Sequence, residues 1–281
     1  MRWYSSVWLL CAALLVTVSS DVSFAAKAKQ GRELVVCADA DNLPFSNDKF
    51  EGFENKIVDL VAKEMRAPVR YAWNGGPRGF RPRMLQSGAC NLVMGVPAGL
   101  PGVSVTRPYY TSTYVFVTAR SRKLNLHGFD DPALRNLKIG LQAIGAQGAN
   151  TPPANALARR GLVDNIVGYS IRESSGEPSS QAKIIDAVIS GEVDTALVWG
   201  PLAGYFAKRH GDRLLLTPVD SDPQNPTIPF SYAISLGVGD GDGAFKAALQ
   251  NVLDRKRSNI VAILNDYGIP LVSSEKAVLA Q

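Results

Sequence analysis

Apolar and polar positions along this chain form short runs whose period alternates between that of a strand and that of a helix. Residues 33–38 are a β-rich apolar run that ends in the turn cluster Asp39-Ala40-Asp41-Asn42. Residues 55–65 place Ile57, Val58, Leu60, Val61 and Met65 at helical spacing. A second strand follows over 69–73, then a proline-led helix over 82–86 stopped by Gly88, then a third strand over 91–96. This β-α-β-α-β order implies a parallel sheet with right-handed crossovers. In the doubly wound order the first and third strands are neighbours.

The theme then repeats. A strand over 113–119 leads to strands over 137–141, 166–169, 195–199, 213–216 and 231–236. Helices are expected near 153–160, over 181–190 with Ser180 as cap and Gly191 as stop, and over 201–208. A proline-rich loop covers 223–229, and amphipathic helices over 244–254 and near 260–267 close the chain. The pattern predicts an α/β fold of two lobes, with mixed sheets flanked by helices and a hinge crossed twice. Lobe 1 would comprise 26–112 and 236–281, and lobe 2 would comprise 113–235. A ligand cleft is expected between them.

Composition adds a compartment. Arg2, an apolar run over 7–18, and the small residues Ser23 and Ala25 read as a secretory signal over 1–25. The run is too short for a bilayer span, which needs about 20 residues of helix. The exported chain is expected in the periplasm, with no membrane segment after cleavage. Of the three cysteines, Cys37 and Cys90 lie beyond the signal. An oxidising compartment and adjacent strands suggest one disulfide, against the alternative of two buried thiols. The net charge of +5 favours acidic partners as a bias on encounter. No run of like charges and no basic-aromatic interleaving points to nucleic acid.

Catalytic chemistry has little support. The chain has two histidines, His127 and His210, and no spacing that suits a metal or a nucleophile triad. No cofactor is implied. Asp39 and Asp41 could bind a metal together, but such residues more often cap a turn. Asp240-Gly241-Asp242-Gly243 reads as a turn and helix cap rather than a calcium loop, and Gly145-Ala146-Gln147-Gly148 as a turn. Arg78, Arg81 and Arg83 stand at a glycine-rich helix entry, where they suit either an anion contact or a solvated face.

Across nearly the whole chain run the ordered markers Asn42-Leu43-Pro44-Phe45-Ser46, Gly52-Phe53-Glu54, Leu85-Gln86-Ser87-Gly88-Ala89-Cys90, Arg107-Pro108-Tyr109-Tyr110 and Gly191-Glu192-Val193-Asp194. In this order they resemble the type II periplasmic solute-binding proteins of the amino-acid-receptor branch. The departures from that branch matter. Its loop after the third strand carries an Arg for the ligand carboxylate, whereas here the loop is 97–103 with no Arg. Its Asp for the ligand amine falls where this chain has Trp199-Gly200. A zwitterion in such a cleft would leave charges unpaired, at a cost of at least several kcal/mol.

Met94-Gly95-Val96-Pro97, Thr106 through Val117, and Val198 through Phe206 further resemble the MxaJ/XoxJ-type proteins. That resemblance implies an accessory to a PQQ-dependent methanol dehydrogenase, in its assembly, activation or docking, with the dehydrogenase and its cytochrome c as partners. The other class of function on this fold is a receptor for an ABC importer of a small non-amino-acid solute, and a cleft enzyme is a third. A small molecule or a peptide could fill the cleft. The candidate cleft residues are Phe45, Arg78, Phe80, Pro97, Tyr109, Gln142 and Trp199, with core packing as the alternative role of the aromatics.

Overall fold

In the computed structural model the first strand, β1 (Leu34–Asp39), is buried along its whole length. A strand buried on both faces has no polar alternation, which is why it reads as a continuous apolar run. The structure describes residues 31–74, 81–97, 99–143, 151–170, 180–219 and 221–272. The signal reading over 1–25, Arg78, Phe80 and the turn over 145–148 lie outside them.

β1 is followed by the small antiparallel pair β2 (Asp41–Asn42) and β3 (Ser46–Asn47). Helix α1 (Phe53–Met65) buries Ile57, Val58, Val61 and Ala62. Its entry is fixed by Asn55, whose Oδ1 accepts from the N–H groups of Gly52 (3.0 Å) and Asn47 (3.1 Å). β4 (Val69–Asn74), α2 (Arg81–Gln86) and β5 (Leu92–Pro97) complete the first β/α units. β1 pairs in parallel with both β4 and β5. The first and third predicted strands are therefore neighbours, and Cys37 and Cys90 form a disulfide across a Cα–Cα distance of 5.5 Å.

After the short β6 (Val103–Val105) comes β7 (Tyr110–Ala119), which is three residues longer at its start than the apolar pattern suggests. The reason is tertiary, because 110–113 pair antiparallel with a strand far along the chain, β12 (Ser231–Gly239). The rest of β7 pairs with β10 (Thr195–Trp199) and β11 (Leu214–Pro218). Parallel to β10 run β8 (Ile139–Ala143) and then β9 (Ile166–Ser170).

Among the described residues the sheet order is β4-β1-β5-β12-β7-β10-β8-β9, so β7 carries the chain from one half into the other and β12 brings it back. Helices α3 (Pro152–Arg159), α4 (Ser180–Ser190) and α5 (Gly200–Lys208) flank the second half. Helices α6 (Gly243–Arg255) and α7 (Arg257–Asp266) pack on the first half with α1, around Leu249, Val252, Leu253, Ile260 and Leu264.

The predicted proline-rich loop over 223–229 is held by Asp222, which is fully buried. Its carboxylate accepts from Arg160 (2.7 Å), from Arg159, and from the Gln224 amide (3.0 Å). Arg160 also bonds Asp130 at 2.8 Å. A buried carboxylate is tolerated where it is paired and bonded in this way.

Candidate functional site

A cavity of about 310 Å³ opens where the segment after β1 and the C-terminal end of β5 meet the crossing strands. Open α/β sheets place ligands at that end. Its described walls are Asn42, Phe45, Glu54, Gly95, Pro97, Tyr110, Tyr114, Trp199, Tyr232 and Ile234.

Each wall residue is placed by its element. Phe45 follows the β2 turn, and its carbonyl accepts from the Glu54 N–H at 2.9 Å. Gly52 permits this approach, because a Cβ there would stand 2.0 Å from the Phe45 carbonyl oxygen. Phe45 also packs on Phe53 at 5.4 Å between ring centroids. Trp199 ends β10 and is the N-cap of α5. It lies directly across from Tyr114 in the antiparallel β10–β7 register, with the rings edge to face at 5.4 Å. Tyr232, on β12, meets the Trp199 ring edge to face at 5.7 Å. Such aromatic pairs contribute about 0.5–1.5 kcal/mol each beyond their buried area.

The electrostatics are those of phenols and one carboxyl group. Burial pushes the Tyr114 hydroxyl well above the usual tyrosine value, with Tyr232 adding to it, and burial raises Tyr232 likewise. Both therefore stay neutral across the physiological range. Glu54 is buried at 2% exposure. The described walls include no Lys, Arg or His. No group of three or more His, Cys, Asp or Glu able to hold a metal occurs among the described residues. The walls suit an apolar or aromatic group with a few hydrogen bonds, and among them stands no cation to receive a ligand carboxylate.

Of the residues singled out in the sequence, the structure brings Phe45, Pro97 and Trp199 onto this cavity. Tyr109 lies on a different cavity, and its N–H donates to the Ile234 carbonyl (2.9 Å). Gln142 is half-buried on β8 opposite Tyr169, and lines neither cavity. Arg83 is exposed on α2. Asp39 ends β1 and accepts from Asn74 at 2.7 Å, in keeping with a turn-fixing role. Asp242 is the N-cap of α6 and pairs with Arg32 at 2.5 Å. Tyr114, Tyr232, Gly95 and Ile234 were not singled out in the sequence. The two tyrosines belong to strand runs whose facing residues depend on a long-range register.

No protein-family model matches the chain. Protein MoxJ of Methylorubrum extorquens (strain AM1) is 28% identical over 276 residues, covering 94% of this chain and 90% of that protein. Two crystal structures superpose over most of the fold. MxaJ from Methlophaga aminisulfidivorans MPT gives a TM-score of 0.72 at 24% identity, covering 85% of this chain and 100% of that one, which speaks for the fold. The periplasmic binding protein XoxJ from Methylobacterium extorquens AM1 gives a TM-score of 0.69 at 33% identity, covering 86% of this chain and 100% of that one. With that identity over the whole of XoxJ, and with the two-lobed α/β architecture in common, the chain belongs to the MxaJ/XoxJ-type periplasmic binding proteins.

Proposed function

We propose that this protein is a non-catalytic periplasmic accessory factor of a PQQ-dependent methanol dehydrogenase, acting in its assembly, activation or docking. Membership of the MxaJ/XoxJ-type family supports the setting. The observation that carries the reading is the wall at Trp199. An indole ring packed between Tyr114 and Tyr232 stands at the strand end to which the resemblance assigns the amino-acid receptors' Asp for the ligand amine, and the described walls offer no cation for a carboxylate. A zwitterion placed there would lose hydration at both ends and regain little, at a cost of several kcal/mol. The fold keeps a binding protein's architecture while its cavity disfavours that ligand class.

The test is a deletion strain assayed for methanol dehydrogenase activity in its periplasm. Restored activity on adding back this chain supports the reading. Unchanged activity in the deletion strain counts against it.

The second reading is a receptor for an importer of a small uncharged or anionic solute, which the preformed cavity favours. Affinity capture from methanol-grown periplasm separates the two. The accessory reading expects the dehydrogenase, with its cytochrome c as a further candidate, and the receptor reading expects an importer permease.

A further inference from the structure

The Arg107-Pro108-Tyr109-Tyr110 motif does not belong to the Trp199 cavity alone. All four residues line a second, larger cavity of about 430 Å³ behind the crossing strands. That volume is within the range of about 300–1,000 Å³ typical of binding pockets. Tyr110 walls both cavities. The floor of the second is apolar, made by Ala233 of β12, Leu253 of α6, Ile260 and Val261 of α7, and Leu271 and Val272 beyond α7. Leu271 is 39% exposed and is one of three large exposed apolar residues among those described.

The rim is basic. Arg107 is mostly exposed and pairs with Asp254 at 2.5 Å. Gln250 braces that pair, accepting from the Arg107 N–H (2.6 Å) and donating to Asp254 (2.9 Å). Arg257 is exposed at the start of α7, within electrostatic reach of Asp254 but in no direct ion pair among the described residues. Arg255 and Lys256 precede it at the α6–α7 junction, where Lys256 pairs with Glu64 at 2.9 Å. The corner therefore keeps an excess of positive charge beside an open apolar floor.

We propose that this rear cavity is a docking site for an acidic segment of a partner protein, one that presents an apolar side chain beside its carboxylates. The floor takes the apolar side chain, and its burial supplies affinity. Arg257 and the exposed Arg107, which Asp254 and Gln250 hold in place, meet the flanking carboxylates and fix orientation. A small inorganic anion would leave the floor uncovered. A flat lipid surface does not follow a concave wall.

The experiment measures fluorescence polarisation of a labelled peptide with a phenylalanine–leucine pair set between glutamates, against a counterpart with glutamines. The glutamate peptide should bind saturably, and its counterpart about tenfold more weakly or worse. Arg257→Ala should weaken binding and flatten its salt dependence. Val261→Trp, which fills the cavity without changing charge, should abolish binding at an unchanged melting temperature. Leu271→Asp, at an exposed position, gives a second disruption should the tryptophan variant fold poorly. Equal binding of the two peptides, full binding by Leu271→Asp, or no saturation at millimolar peptide would overturn the proposal. So would stronger association with anionic phosphatidylglycerol vesicles than with the peptide.

Discussion

Gly204 of α5 and Gly268 beyond α7 touch backbone to backbone, so that a Cβ on Gly204 would stand 1.9 Å from the Gly268 carbonyl oxygen. The contact joins a helix of the second half to the C-terminal segment of the first. Around it, the Tyr205 and Tyr267 rings stack at 5.7 Å and Lys208 Nζ donates to the Asp266 carbonyl at 2.5 Å. The two halves are thus held by a C-terminal clasp as well as by β7 and β12.

Gly204→Ala should destabilise the protein, because backbone atoms cannot yield as a side chain can. Overpacking of this kind costs about 1–3 kcal/mol or more. Gly239→Ala is the control, since a Cβ there meets nothing within 4 Å. Urea unfolding midpoints of the two variants check the contrast. A Gly204→Ala midpoint equal to that of the control would show that the clasp is not tightly packed.

The Cys37–Cys90 bridge ties β1 to the turn that enters β5 and closes a separation of 53 positions. In the chain-entropy view it stabilises by about 3–4 kcal/mol. Reduction with dithiothreitol, or paired Cys37→Ser and Cys90→Ser substitution, should lower the unfolding midpoint. An intact protein insensitive to reductant would contradict this.

Asp222 predicts an acid limb in stability. Burial pushes its carboxyl up, but hydrogen bonds from Arg160 and Arg159 outweigh that and hold it below its ordinary 3.8. A carboxyl depressed in the folded state contributes stability above its unfolded value, and the contribution fades as pH falls through the folded value. The loss should therefore begin near pH ~4 and deepen below it. Asp222→Asn should flatten that limb in unfolding curves taken across the acid range. Arg160→Ala should cost about 2–3 kcal/mol at neutral pH, because it leaves the buried carboxylate less well paired.

Much of the fold is legible in the chain because its parallel strands are buried on both faces. Val35, Val36 and Cys37 give the unbroken apolar run such a strand requires. The link from strand order to the Cys37–Cys90 pairing needs only the doubly wound rule. What escapes is short or set from afar. β2, β3 and β6 are two or three residues long, too few for a period. Tyr114 and Tyr232 reach the cavity only because β7 pairs with β10 in one register and with β12 in another. Tyr109 and Tyr110 are neighbours in sequence, yet only Tyr110 walls both cavities. Composition says nothing about which side of a crossing strand each ring takes.

The central claim is that the cavity around Trp199 does not hold amino acids. Isothermal titration of the purified protein, freed of bound ligand by unfolding and refolding, with each of the common amino acids tests it directly. The account predicts no saturable heat from any of them. Micromolar, saturable binding of even one, lost in Trp199→Ala, would contradict it and return the protein to the nutrient receptors.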